Sequence, residues 1–156
     1  MAGTYKDYNW IIPDRLAQGA YPGTNPGLFQ AFDVVVYTAD EKQPKGMKVP
    51  QGKFVYKLRL DDDIYRPIPQ EVQVAVHRMG QSLAGHLRAG HKVLVTCAMG
   101  MNRSGIVTAL TLMHLTGCSG SQAVDTVKSR RRANDGVAPL SNPMFERWLR
   151  TSGQRA

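Results

Sequence analysis

A cysteine and an arginine stand six positions apart in the segment VLVTCAMGMNRSGIVTAL, and they are the first candidates for chemistry. Cys97 follows residues typical of a buried strand, and Arg103 precedes an apolar helical segment. The positive end of a helix favours the thiolate form of cysteine, which is its nucleophilic form. The planar guanidinium of Arg103 can bind two oxygens of one phosphoryl group. The pair therefore indicates nucleophilic attack on a phosphate ester.

The residues around this pair can provide the rest of a phosphate site. A loop between a strand and a helix can curl its backbone amides around one phosphoryl group. Gly100 permits the tight curl, because glycine adopts backbone conformations that other residues avoid. We expect the substrate phosphate to contact Ala98, Met99, Gly100, Met101, Asn102 and Ser104.

The spacing alone is a weak signal, since arginine is common in this chain, but its context is specific. A strand before the cysteine, a glycine within the loop, Arg-Ser-Gly after it and an apolar helix beyond are independent requirements that are met together. The alternative is that Cys97 is an ordinary buried thiol at a strand end. The second cysteine, Cys118, has no arginine at a matching spacing, and we interpret it as a structural thiol.

Expulsion of an alkoxide or phenoxide from phosphate requires a proton, and three successive aspartates are candidate donors. Asp61, Asp62 and Asp63 follow the predicted strand Phe54 to Leu60 directly. Neighbouring carboxylates can share a proton, which keeps one of them available as an acid. The alternative is a solvated turn that also caps the next helix.

The strands that must position these residues are indicated by β-branched and aromatic runs. The main strands are predicted at Asp33 to Thr38, Phe54 to Leu60 and Lys92 to Cys97. Trp10 to Ile12 and Arg15 to Gln18 predict short edge strands, and Thr24 to Ala31 predicts a short helix.

Four longer helices have clear start and stop signals. The first runs from Pro69 to Gly90, the second from Ser104 to Gly117, the third starts at Ser119 and the fourth at Asn142-Pro143. The second is apolar almost all round, which predicts a buried central helix. Strands alternating with helices predict an α/β fold. We expect one catalytic domain over residues 1–156, with a mostly parallel sheet of about four to five strands and helices on both faces.

The formal charge of +8 is concentrated near the C-terminus, where residues 128–156 hold seven Lys or Arg. The simplest interpretation of Arg130, Arg131 and Arg132 is a solvated helix end whose cations complement the helix dipole. The alternative is a surface that steers an anionic substrate such as a phosphoprotein, a phosphoinositide or RNA.

The composition predicts a cytoplasmic protein, which we expect to be a monomer. No stretch approaches the roughly 18 apolar residues that a membrane span requires. Two cysteines in a chain of 156 residues do not make a disulfide framework, and reduced thiols fit the cytoplasm. The histidines have no carboxylate or cysteine at ligand spacing, so we expect neither a metal nor a cofactor. These histidines are His77, His86, His91 and His114.

The segment CAMGMNRSG resembles the C-x5-R-[ST] loop of the cysteine-dependent phosphatases. Residues Trp10 to Leu149 resemble the layout of a small dual-specificity member of that superfamily. The resemblance implies that Cys97 is the nucleophile and that Arg103 binds the phosphate. It also implies that Ser104 assists departure of the thiolate from phosphate.

The same resemblance implies a catalytic aspartate on the loop after an upstream strand. Alignment of LRLDD with the pattern of the family places this acid at Asp62, with Asp63 and then Asp61 as alternatives. The family usually has a histidine before the cysteine, which helps to orient the loop and activate the thiol, and this chain has Thr96 there. Asn142 resembles the Pro-Asn that some members have before their last helix, and it is equally a candidate N-cap.

Three functions fit these residues. The first is hydrolysis of tyrosine or serine/threonine phosphate on a protein through a phosphocysteine intermediate. The second keeps the loop but acts on a phosphoinositide or an RNA 5'-triphosphate end, which the basic C-terminal region would favour. The third is a catalytically dead module that binds phosphopeptides. Sulfur transfer by a rhodanese-like domain is less suitable, because Arg-Ser-Gly and the upstream acid have no role in it.

Overall fold

The computed structural model describes residues 5–133 and 135–152 and has the predicted α/β architecture. Its sheet has five strands in the order β1-β2-β5-β3-β4. The strands are β1 (Tyr8–Ile12), β2 (Leu16–Gly19), β3 (Val34–Ala39), β4 (Phe54–Leu60) and β5 (Val93–Thr96). The pairing of β1 with β2 is antiparallel, and the other three pairings are parallel. The prediction of a mostly parallel sheet is confirmed.

One strand that we predicted at the edge of the sheet lies in its interior. The segment predicted as an edge strand near Arg15 to Gln18 is β2, which lies inside the sheet between β1 and β5. All four of its residues are buried, including the polar Gln18. The segment is too short to show a period of two, and a glutamine within it suggested exposure to solvent. The edges of the sheet are β1 and β4.

The described residues form four α-helices at the predicted places. They are α1 (Gln70–Arg88), α2 (Arg103–Thr116), α3 (Gly120–Arg130) and α4 (Pro143–Ser152). Helix α2 ends at Gly117, whose φ of 74° is the left-handed conformation that glycine adopts most readily. Helix α3 begins with a capping box between Ser119 and Gln122, in which each side chain binds the other residue's backbone amide. Local signals therefore fix where these helices begin and end.

The two faces of the sheet are covered differently. Buried side chains of all four α-helices form one core with alternate strand residues, among them Val34, Val36, Val93 and Val95. The opposite face packs against the 3-10 helix Pro26–Gln30 and a cluster of aromatic rings. The short helix predicted within Thr24 to Ala31 is this 3-10 helix. Among the described residues, one face thus has the α-helices and the other has the short 3-10 helix.

Helix α2 lies at the centre of the main core. Its residues from Arg103 to Met113 are all buried. Helix α1 approaches it closely at Gly80, where an added Cβ atom would lie 3.0 Å from the Leu110 backbone. Helix α2 is therefore fixed on several sides, and so is the loop that precedes it. No helix in the described part of the chain combines the length and apolar character needed to cross a membrane.

Two glycines of α1 test this packing. Gly80→Ala should lower the free energy of unfolding by about 1–3 kcal/mol, because the new methyl group overpacks the contact with Leu110. Gly85→Ala should raise it by up to about 1 kcal/mol, because Gly85 is exposed and alanine favours the helix. Urea denaturation measures both. Equal effects of the two substitutions would show that α1 and α2 do not approach closely at Gly80.

Candidate active site

The loop from Cys97 to Arg103, here called the phosphate loop, joins β5 to α2 at the carboxyl end of the parallel strands. Ligands of open α/β sheets bind at this end. The Cys97 side chain is buried, with its residue 4% exposed. Its Sγ lies 3.3 Å from Ser104 Oγ, so a thiol can donate to the hydroxyl and a thiolate can accept from it. The predicted nucleophile and its neighbouring hydroxyl are therefore in contact.

The backbone amides of the phosphate loop form a set of unpaired donors. The amides of residues 98–102 donate to no group among the described residues. Unpaired donors in a largely buried loop are unfavourable in a protein unless water or a ligand accepts from them. The N-terminus of α2, with the positive end of its dipole, follows directly. This arrangement fits a tetrahedral oxyanion.

The curl of the loop depends on Gly100. Its φ of 77° is left-handed, and a Cβ atom there would collide with the backbone of Gly19 at the end of β2. Any side chain at this position would therefore push the loop away from β2. This explains why the segment CAMGMNRSG has a glycine at this position.

Two buried side chains hold the carbonyl oxygens of the loop. Gln18 Nε2 donates to the Gly100 oxygen at 2.9 Å. Arg131 Nε donates to the same oxygen at 3.0 Å, and its Nη2 donates to the Met99 oxygen at 3.0 Å. Arg131 also binds Asn9 and Asp7 near β1, through Nη1 at 3.1 Å and Nη2 at 3.0 Å. These contacts bind the carbonyl side of the backbone and leave its amides for a ligand.

The contacts of Arg131 correct the interpretation of the three arginines as a solvated helix end. Arg130 and Arg132 are exposed, but Arg131 is only 3% exposed. Its cation lies under the phosphate loop because the loop carbonyls and Asp7 compensate the loss of water. The sequence could not distinguish Arg131 from its neighbours, because all three residues are arginine.

Arg103 is buried and has a partner that the sequence analysis missed. Its Nη1 and Nη2 bind both oxygens of Glu41, with 2.7 Å between Nη2 and Oε2. Its Nη1 also donates to the Leu60 oxygen at 3.3 Å. Its Nε is buried and has no acceptor among the described residues. The edge of the guanidinium formed by Nε and Nη2 can therefore bind a phosphoryl group while Glu41 holds the other edge.

The charges of this pair support each other. Burial lowers the pKa of Arg103, but the hydrogen bond that it donates to Glu41 and the charges of Cys97, Glu41 and Asp62 outweigh burial, and the pKa is raised. The hydrogen bond from Arg103 lowers the pKa of Glu41 to about 2, against the opposing effect of burial. Both groups are ionised at neutral pH. Glu41 follows β3 in the turn after the strand, and no motif in the sequence distinguished it.

Of the three aspartates after β4, Asp62 is the one that contacts the phosphate loop. Its Oδ2 accepts from Asn102 Nδ2 at 3.1 Å, and its Oδ1 accepts from Asn142 Nδ2 at 2.6 Å. Asp63 Oδ1 accepts from the backbone amides of Tyr65 and Arg66 at 2.8 and 3.3 Å, which is the turn-forming alternative. Asp61 is exposed. Asp62 is therefore the aspartate that lies against the phosphate loop, and its role as the acid stays a prediction.

Thr96, at the position where the resemblance leads us to expect histidine, has a structural role. Its hydroxyl donates to the Val36 oxygen at 2.7 Å, and the Thr38 hydroxyl donates to the Thr96 oxygen at 2.7 Å. Both threonines are buried, and they join β3 to β5 beneath Cys97. The Thr96 hydroxyl therefore binds the sheet and not the thiol.

Arg131 provides a test of the support beneath the phosphate loop. Arg131→Lys keeps the charge but cannot reach all four acceptors, so we expect the affinity for inorganic phosphate or tungstate to fall about tenfold or more. Arg132→Lys, one residue along and exposed, should leave the affinity unchanged. Isothermal titration calorimetry measures both. An unchanged affinity in a folded Arg131→Lys protein would contradict the supporting role.

Comparisons with known proteins agree with this geometry. Residues 30–154 match the family model "Dual specificity phosphatase, catalytic domain". Among solved structures, human DUSP28 is similar with a TM-score of 0.72 and 21% identity, over 99% of this chain and 97% of that chain. Tk-PTP in its active form has a TM-score of 0.76 and 22% identity, over 98% of this chain and 100% of that chain. PTPMT1 in complex with PI(5)P has a TM-score of 0.71 and 18% identity, with 96% of each chain covered. The chain therefore belongs to the dual specificity phosphatases and carries their catalytic domain.

Proposed function

We propose that this phosphatase hydrolyses phosphomonoesters through a phosphocysteine intermediate on Cys97. The observation that supports it most is the set of unpaired amides in residues 98–102, next to the buried thiol and the unpaired Nε of Arg103. These donors match the oxygens of one phosphoryl group.

In the first step, the Cys97 thiolate attacks phosphorus and the bond from phosphorus to the ester oxygen breaks. The loop amides and the free edge of Arg103 bind the three oxygens that carry the charge of the transition state. The leaving oxygen takes a proton from Asp62. The products of this step are the free alcohol or phenol and the phosphocysteine.

In the second step, water attacks phosphorus while the Asp62 carboxylate accepts its proton. The bond from phosphorus to sulfur breaks, and Sγ leaves as a thiolate. The Ser104 hydroxyl, 3.3 Å from Sγ, can donate to this developing charge. Inorganic phosphate leaves, and both Cys97 and Asp62 return to their starting states.

Activation of Cys97 in this chain depends on contacts other than an adjacent imidazole. Thr96 carries no charge, and its hydroxyl donates to a strand carbonyl instead of contacting the thiol. The N-terminus of α2, the Ser104 hydroxyl and the cation of Arg103 are the groups that can stabilise negative charge on the sulfur as it leaves phosphorus.

A phosphorylated protein is the substrate that we favour. Tyr65 and Arg66 follow the acid loop directly and are highly exposed, so they are available to contact a peptide. The alternative, a phosphoinositide, is supported by the similarity to PTPMT1, which was solved with PI(5)P. Several C-terminal cations that would favour this alternative are already paired, as with Lys128 and Arg150 on Glu146. Binding of a protein substrate therefore requires fewer of these ion pairs to break.

Free thiols at Cys97 and Cys118 fit our proposal of a reducing, cytoplasmic location.

A substrate panel tests this proposal. Phosphotyrosine and phosphoserine peptides, PI(5)P and RNA with a 5'-triphosphate should be assayed with excess chelator present. We expect the peptides to be hydrolysed fastest, and we expect activity to survive the chelator because protein groups supply the nucleophile, the oxygen ligands and the proton. Vanadate should inhibit, since it takes a phosphoryl-like geometry on a thiolate. Loss of activity with chelator alone would contradict the mechanism, and fastest turnover of PI(5)P or RNA would overturn the protein substrate.

The role of Asp62 has its own test. Asp62→Asn should slow hydrolysis of an alkyl phosphate by about 100-fold or more, because an alkoxide leaves poorly without a proton. An aryl phosphate with an acidic phenol should be affected much less. Asp63→Asn is the matched control and should affect both substrates little. A uniform loss on both substrates would indicate damage to the fold, and a selective loss in Asp63→Asn would assign the acid to that residue.

A further inference from the structure

Two asparagines from distant parts of the chain bind the same carboxyl group. Asn102 belongs to the phosphate loop and Asn142 precedes α4, and each donates through Nδ2 to one oxygen of Asp62. The asparagines also bind each other, because the Asn142 backbone amide donates to Asn102 Oδ1 at 2.9 Å. The three residues thus form a closed triangle, here called the amide triangle, in which two sides join side chains and the third uses the Asn142 backbone amide.

The orientation of both amides is fixed by backbone groups. Asn142 Oδ1 accepts from the amides of Met144 and Phe145 at 2.9 and 3.3 Å, so it caps the N-terminus of α4. Asn102 Oδ1 accepts from the Asn142 amide. A flip of either side chain would remove these bonds and place an amide oxygen against the carboxylate. The Nδ2 groups must therefore face Asp62.

We infer that Asn102 and Asn142 are positioning residues that hold the Asp62 carboxyl against the phosphate loop. The inference rests on the proposed function, in which Asp62 donates and accepts the proton. Both asparagines are buried, with Asn102 8% and Asn142 1% exposed, so water competes little for these bonds. The acid is thereby held by the same loop that binds the phosphate, and proton transfer and phosphate binding share one rigid support.

A purely structural role for Asn142 explains only half of its contacts. Capping of α4 uses Oδ1 alone. The Nδ2 group instead donates to Asp62 Oδ1 and to the Asp63 carbonyl oxygen, at 2.6 and 3.2 Å. The cap and the acid contact can therefore be separated by one substitution, because aspartate keeps the acceptor and removes the donor.

Charged groups around Asp62 determine the expected sign of that substitution. Arg103 attracts its carboxylate, while Asp61 and Asp63 flank it on its own loop. Asp63 is turned toward Arg66, and Glu41 is bound to Arg103. Asn102→Asp and Asn142→Asp each remove an N–H donor and add a negative charge beside Asp62. Both changes favour its protonated form, so the two effects add.

The experiment compares Asn102→Asp and Asn142→Asp with Asn25→Asp as the matched control. Asn25 Oδ1 caps the 3-10 helix by accepting from Gly27 at 2.8 Å, so its substitution also keeps a cap and adds one charge. The first readout is the NMR titration of the Asp62 carboxyl carbon. The second is the dependence of kcat on pH with an alkyl phosphate.

We expect the titration of Asp62 to move to higher pH by about one unit or more in the two test variants and to stay unchanged in the control. The falling limb of the kcat profile should move in the same direction, because the acid stays protonated to higher pH. KM should rise in Asn102→Asp, because its added negative charge lies in the phosphate loop, and should rise less in Asn142→Asp, which lies outside that loop. In an Asp62→Asn background the two substitutions should no longer affect the limb.

Two results would overturn the inference. One is a titration of Asp62 that does not move in either test variant. The other is a titration that moves while the kcat profile of an active enzyme stays in place, because the contact would then be structural only. A wild-type protein that hydrolyses none of the phosphomonoesters would overturn the proposed function, and the NMR titration would still decide whether the amides hold Asp62.

Discussion

A loop that presents unpaired amides to one point must be held in that shape by other contacts. The amides of residues 98–102 have no acceptor within the described residues, and a free loop would turn them to water or to its own carbonyls. Here the carbonyls of Met99 and Gly100 are already bound, by Gln18 and Arg131. The close approach to Gly19 then leaves room only for glycine at the turn. In the proposed mechanism the loop thus has its binding shape before a phosphate arrives, and little reorganisation is needed during reaction.

The order of the sheet explains why the acidic groups reach this loop. Strands β3 and β4 run parallel to β5, so their carboxyl ends lie at the same end of the sheet. The residues that follow them therefore meet the phosphate loop. The turn after β3 brings Glu41 to one edge of Arg103, and the turn after β4 brings Asp62 to Asn102. Glu41 keeps the guanidinium in one orientation, whereas in the proposed mechanism Asp62 transfers the proton. Two carboxylates near one arginine therefore have different tasks because their partners differ.

Local sequence predicted the parts of the site that are encoded locally. Cys97, Gly100, Arg103 and Ser104 belong to one strand-loop-helix segment, and the strand before Asp62 marked its place. The contacts that sequence reasoning missed join residues far apart, such as Glu41 to Arg103, which are 62 residues apart, and Gln18 to Gly100, which are 82 apart. A buried glutamine within a short strand resembles a residue at a sheet edge, and one buried arginine among three resembles its neighbours. Asn142 was interpreted either as an N-cap or as the asparagine that some family members have before their last helix. Its Oδ1 caps α4 and its Nδ2 binds Asp62, so the two interpretations are compatible.

The central claim is that the phosphoryl group passes through Cys97. The most direct measurement is a rapid denaturing quench during turnover of a phosphate-labelled substrate, followed by mapping of the label on the chain. The proposed mechanism predicts one phosphoryl group on the peptide that contains Cys97 and none in Cys97→Ser. Label on another residue, or steady formation of product with no labelled protein in repeated early quenches, would contradict it.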